Sequence, residues 1–307
     1  YCDFRSDKIM FLQQLVTGIS VGGIYALLAT GYSLIYSLLD FSNWAHGEFA
    51  MVSAYVAIVL SNIMGIPFVL AAIGGMMGGA LVSFLCERLA YRRIRRNGAP
   101  NMFLMIAAMG LSNMFQQAAN LIFSGQYRSY PFKLPVSTIQ VASAYIGVLD
   151  LVSLGITAVI IAILVYLINK TQFGLNVRAI ACNAHAAKVL GVKVDRCIAT
   201  VFVLAGALAG VAGVLYGMKY NVFPTMGNVG LKAFIASVIG GLGSVPGAIV
   251  GAIILGVIET FVSAFVSSSL RDFFSFALLI VLLLVKPSGI QLLSLNLQLF
   301  FNFVLHI

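Results

Sequence analysis

Long runs without a single charged side chain recur along this chain. None falls between Glu48 and Glu87, between Arg96 and Arg128, or between Lys232 and Glu259. Each run exceeds the roughly 20 residues that a helix needs to cross a hydrocarbon core about 30 Å thick. The apolar positions are continuous rather than alternating in segments of about 10, which excludes a lipid-facing barrel and leaves helices as the spanning element. The pattern predicts membrane helices over 10–36, 45–63, 67–90, 101–124, 146–169, 195–217, 229–240, 247–268 and 273–286. Segment 229–240 is too short to cross unaided, so the expectation is an all-α polytopic membrane protein with eight or nine membrane segments, some of them short or broken.

Composition agrees with that pattern. The chain is 61% apolar and 9% charged, with a mean hydropathy of +1.04, where a soluble domain carries roughly 25% charged residues. A net charge of +9 would suit nucleic acid, but its placement argues against such a partner. Arg88, Arg92, Arg93, Arg95 and Arg96 crowd one polar connection, and Lys170, Arg178, Lys188, Lys193 and Arg196 fill another. Basic clusters flanking apolar spans mark the cytoplasmic side. With both inside, the N-terminus and the 125–145 connection face outward and the end near Lys286 faces inward. The outer connection carries Pro131 and Pro135 and reads as an exposed, extended link. The first apolar run continues for a full span, unlike a cleavable signal peptide. Residues 1–9 and the uncharged segment 291–307 read as atypical termini around a single membrane domain at 10–290. The cysteines have no metal-ligand spacing, and Cys86 and Cys197 read as small buried apolar residues.

A weak internal repeat lays Asn43–Ala50 over Asn228–Ile235. A long helix precedes each Asn and a Gly-rich helix follows. In the following helices Gly79 and Gly251 each stand eight residues ahead of an acid, Glu87 and Glu259. An odd number of spans separates the equivalent points, so halves near 11–96 and 195–268 would be inverted in the membrane, a transporter signature. Gly/Ala-rich helices also resemble one another by composition alone.

Four constellations are candidates for function. Asp40, Asn43, His46, Gly47 and Glu48 lie in a broken stretch between two spans. Ionisable groups at membrane depth are costly, from about 2.5 kcal/mol upward, and mark a path or a partner. Two readings stay open there: a lining of the translocation path, or a structural break with Asn43 capping the next helix and Glu48 near its positive end. Gly240, Gly241 and Gly243, in Gly240–Gly247, lack the Gly-Lys-Ser/Thr ending of a phosphate loop and read as a helix break with a close backbone crossing. The small residues of Leu204–Gly213 predict close helix packing or, less simply, a pore lining. The fourth is a helix-like island, Asn183–Gly191, inside the polar stretch 170–196, with His185, Ala186, Ala187, Lys188 and Gly191 as its candidate contact residues. Enzyme signatures such as H-E-x-x-H and G-x-S-x-G are absent, and no ATP-binding motif occurs. No cofactor is expected.

Three stretches together carry a family resemblance from about Phe11 to Ile290. One is Gly22–Leu27 running into Asn43-x-Ala45-His46-Gly47-Glu48. Another is Arg178–Ala179 through Ala186-Ala187-x-x-x-Gly191 to Gly213. The last is Lys232-Ala233-Phe234 through Gly240-Gly241-Leu242-Gly243-Ser244-x-x-Gly247. The chain resembles LivH-type permeases, the membrane subunits of branched-chain amino acid ABC importers. The resemblance implies a multi-pass protein of the bacterial inner membrane, translocating leucine, isoleucine or valine. It also implies two cytoplasmic ABC ATPase subunits that hydrolyse the ATP, a second, LivM-like permease subunit, a soluble substrate-binding protein, and membrane lipid around the whole. The island would be the coupling helix received by an ATPase, although importers of this kind often place Glu where His185 stands. Urea and short-amide permeases share the Asn-x-Ala-His-Gly-Glu pattern and remain an alternative. A self-sufficient channel or ion-coupled carrier, with Asp40, His46 and Glu48 as a relay, is a third reading.

Overall fold

A computed structural model describes residues 3–131, 138–141, 144–286 and 289. The first helix, α1 (Asp3–Leu39), is followed by a break and then α2 (His46–Ile58), which continues into a wide π-type turn at Val59–Ile63. The next helix, α3 (Phe68–Cys86), passes through another wide turn at Glu87–Tyr91 directly into α4 (Arg92–Arg96). The arginine cluster therefore rides on the last turns of a helix instead of the loop expected for it. After α5 (Asn101–Phe123) comes an antiparallel hairpin, β1 (Thr138–Val141) and β2 (Ala144–Gly147), within the connection read as an extended link. Then follow α6 (Val148–Lys170), α7 (Gln172–Cys182), α8 (Ala184–Val189) and α9 (Val194–Tyr220). A 3-10 turn at Pro224–Asn228 leads to α10 (Val229–Gly240), α11 (Val245–Phe265) and α12 (Arg271–Val285). The tail at 291–307 lies outside the described residues, as do residues 1 and 2.

Seven of the described helices are long and apolar enough to cross a membrane. The expected count of eight or nine included 101–124 and 229–240, and both exist as helices that miss one criterion. The 23-residue α5 has the length, but Asn101, Asn113, Gln116, Gln117 and Asn120 lower its apolarity. The 12 residues of α10 rise only about 18 Å.

Small residues set the helix packing, because association in lipid depends on close contact and not on water exclusion. A Cβ placed on Gly18 would fall 2.9 Å from Val257 Cα of α11, and one on Gly22 would fall 2.8 Å from Ile253 Cα. On the other side of the bundle, a Cβ on Gly206 would meet Gly79 O and Ser83 Cβ at 2.5 Å, and one on Gly210 would meet Met76 Cα at 2.8 Å. Ser83 Oγ also donates to Phe202 O at 2.7 Å. Thus α1 is fitted to α11 as α9 is fitted to α3, and the Leu204–Gly213 segment is a packing surface.

The ion pairs sort to the two ends. One end gathers α4, α7, α8 and the starts of α5 and α9. Arg92 and Arg95 both hold Asp195, at 3.0 and 2.9 Å, and Arg95 also reaches the buried Glu87 at 3.3 Å. The other end carries the hairpin, the Arg128–Val222 bridge and the Lys219–Asp150 ion pair.

Candidate functional site

The break after α1 and the first turn of α2 place Asn43, His46 and Glu48 deep in the protein and point each at a different wall. Asn43 is 1% exposed and its Oδ1 accepts from Tyr91 Oη at 2.9 Å. It does not cap α2: Ala45 holds that position without a side-chain hydrogen bond. His46 Nε2 lies 3.1 Å from Leu28 O of α1, and the ring meets Tyr32 and Phe49 edge-on. Glu48 sits in the first turn of α2, and its Oε1 accepts from Ser112 Oγ of α5 at 3.1 Å. Asp40 is apart from all three, exposed, with a φ of 48°. No chain of hydrogen bonds among these groups joins them into a relay. They fasten this region to α1, to the wide turn after α3, and to α5.

Gly47, between His46 and Glu48, has a separate duty. A Cβ placed there would collide with Gly227 O and fall 2.8 Å from Gly230 N and Cα. The two Asn-led segments of the suspected repeat therefore cross each other backbone to backbone. Gly47→Ala is expected to destabilise by about 1–3 kcal/mol, because no flexible side chain is available to yield. A lowered unfolding midpoint of the purified protein would show it, and an unchanged midpoint would contradict the crossing.

The glycine loop between α10 and α11 makes a second crossing. Gly240 and Gly247 face each other so closely that a Cβ on either would strike the other's backbone. Gly241 and Gly243 take φ of 97° and 81°, which only glycine adopts freely. Ser244 caps α11 by accepting from Gly247 N at 3.3 Å. The loop is a tight helix-to-helix turn, as its sequence suggested.

Residues 170–196 fold as two short helices. Thr171 Oγ1 accepts from Gly174 N and starts α7, a helix that the sequence reading left within the polar stretch. Its buried face is Gly174, Val177 and Ile180. The next turn is the island. Asn183 Oδ1 accepts from His185 N and Ala186 N, both at 3.0 Å, and so caps α8. At its end Val192 N donates to Ala187 O at 3.0 Å and Gly191 N donates to Lys188 O at 3.1 Å, with Gly191 at φ 88°. This pair of bonds is a Schellman stop.

Of the five residues expected to make contacts on the island, His185, Ala186 and Lys188 are exposed on α8, and Gly191 is exposed in the stop. Ala187 is 2% exposed and packs inward, so it seats the helix instead of touching a partner. The exposed apolar residues are Val189 and Leu190, at 77% and 83%. They lie within the island but outside the five expected contact residues. Their signal was an apolar pair beside the terminating glycine.

Interrupted helices crossing at glycines, a membrane-spanning bundle, and a small capped helix projecting from the arginine-rich end define a membrane transport subunit with no catalytic cluster among the described residues. The family model for the branched-chain amino acid transport system permease component matches residues 14–283. The chain belongs to that family. The LivH permease of the high-affinity branched-chain amino acid system of Salmonella typhimurium is 37% identical over 306 residues, spanning 92% of this chain and 96% of the relative. The BraD permease of the corresponding Pseudomonas aeruginosa system is 36% identical over 294 residues, spanning 91% and 95%. A probable LivH from Methanocaldococcus jannaschii is 31% identical over 243 residues, spanning 73% and 72%.

Proposed function

We propose that this chain is the membrane-spanning permease subunit of an ATP-driven importer of branched-chain amino acids. The observation that carries the reading is the family match, which runs through almost every membrane segment. In this reading two cytoplasmic ABC ATPases supply the energy, a second permease subunit completes the path, and a soluble protein delivers the substrate from outside. The arginine-rich end is cytoplasmic by the positive-inside rule, which puts α8 where ATP is. Closure of the ATPases pushes on α8, and the push passes through the short link at Gly191–Lys193 into α9.

The packing of α1 on α11 and of α9 on α3, with the crossing of Gly47 at Gly227 and Gly230, supports an inverted repeat whose halves rock against each other. A ligand shifts such a motion only by binding its two states unequally. The scattering of Asp40, His46 and Glu48 argues against an ion relay and so for an external motor.

Reconstitution tests the proposal. The permease pair, with its ATPases and binding protein in proteoliposomes, is expected to accumulate leucine only with ATP. Leucine uptake by the permeases without the ATPases would overturn it, and so would ATP-driven uptake of urea in place of leucine.

A further inference from the structure

At the end opposite α8, a cavity of about 510 Å3 opens between the start of α10, the start of α12 and the end of α9, within the size range of small-ligand sites. Its polar lining includes Asn228, Lys232, Ser268, Arg271, Asp272 and Ser275. Behind it lies a buried carboxylate that is fully engaged. Glu259, with a side chain 0% exposed, accepts from Tyr25 Oη at 2.9 Å, Arg271 Nε at 2.7 Å and Ser275 Oγ at 2.6 Å, and pairs with Lys232 Nζ at 2.9 Å. Arg271 spends its Nη2 on Tyr25 Oη at 2.7 Å and lies over the Tyr220 ring. Glu259 has no capacity left for a ligand, and Arg271, although its Nη1 donors remain, is tied by Nε and Nη2 to the buried carboxylate and to Tyr25.

Lys232 differs. It also pairs with Asp272 at 2.9 Å, and Asp272 is 70% exposed while Lys232 is 16% exposed. This is the ion pair of the cluster whose carboxylate meets solvent. The cluster holds two cations and two carboxylates, so its charge is balanced. An anion or a cation entering alone would leave a surplus charge beside the buried Glu259–Arg271 pair, where uncompensated charge is costly. A ligand carrying both charges exchanges partners without surplus: its carboxylate takes Lys232, and its ammonium takes Asp272. The start of the half-helix α10 faces the same space, and its dipole favours the carboxylate. Phe223, Met226, Leu231, Ile235 and Phe276 supply an apolar wall.

We propose that this cavity is a binding site for the zwitterionic backbone of a free aliphatic amino acid, with Lys232 and Asp272 as its polar anchors. The inference rests on the import reading above and assigns a place to the substrate within it. Asp272 is exposed, so its pair adds little to stability, and Asp272→Asn leaves the Glu259 contacts in place.

The test measures direct binding to the permease–ATPase assembly in nanodiscs by saturation-transfer NMR, using leucine, 4-methylpentanoate and isopentylamine. The last two lack the ammonium and the carboxylate in turn. The wild-type protein is expected to bind leucine above both analogues. Asp272→Asn is expected to weaken leucine about tenfold or more while binding 4-methylpentanoate better than the wild type does, a swap that a purely structural residue would not produce. Lys232→Gln is expected to weaken leucine and 4-methylpentanoate alike. If the complete importer transports leucine but both variants bind all three compounds as the wild type does, the site is refuted and the import reading stands. If the wild-type importer does not transport leucine, the import reading itself fails.

Discussion

Glu259→Gln is expected to lower the stability of the folded protein by about 3–5 kcal/mol, the cost typical of removing one member of a buried ion pair. The substitution keeps the size of the side chain and removes only its charge. Arg271, Lys232, Tyr25 and Ser275 all converge on this carboxylate, from α12, α10, α1 and α12 again. Once it is neutral, two cations face only Asp272, which holds Lys232 alone. Glu87→Gln provides the contrast. Glu87 is also fully buried, but its partner Arg95 keeps a second carboxylate, Asp195, at 2.9 Å and is 22% exposed. The thermal unfolding midpoint of purified protein in detergent is therefore expected to fall clearly further for Glu259→Gln than for Glu87→Gln. Equal midpoints for the two variants would refute the view that Glu259 is the electrostatic centre of its end of the bundle.

Leu190→Asp is expected to reduce nucleotide-driven import about tenfold or more, as loss of an apolar anchor at the centre of a protein interface does, with membrane levels and thermal stability unchanged. Leu190 and Val189 project from α8 with almost no contact to their own chain, so substitution there disturbs only what docks on them. The ATPases are expected to keep their basal hydrolysis, which separates uncoupling from loss of assembly. Two more obvious substitutions are less clean. Ala187→Glu forces a charge into a buried position, and Gly191→Arg puts a side chain at φ 88°, which costs about 1–2 kcal/mol for a residue with a Cβ. Both would uncouple through misplacement of α8. Normal import by Leu190→Asp, with ATPases bound and working, would remove α8 from the coupling role.

Much of this protein was legible along the chain. Charge-free runs located the membrane helices to within a few residues, and α10 was read at its observed limits. Gly191 and Asn183 marked the ends of α8, and the Gly240–Gly247 turn was recognised as a crossing. These features are local. A helix in lipid must satisfy its own backbone, so hydropathy, caps and glycines decide where it starts and stops, and an unfolded or isolated segment carries the same information.

Direction was not legible. Asn43, His46 and Glu48 stand within six residues of one another and suggest a common site, yet the fold turns them toward the wide turn after α3, toward α1 and toward α5. Ala187 lies in α8 and Leu190 directly follows it, and only the seating of α8 decided that the first is covered and the second is free. Glu259 draws Tyr25 from 234 positions away and Arg271 from the next helix, and no spacing in the chain announces that meeting. The sequence by itself determined the helices, their breaks and the basic character of one end. The tertiary structure alone decided which polar groups meet, because a charge inside a membrane bundle finds its partner through helix packing, and helix packing depends on close contacts between segments far apart in the chain.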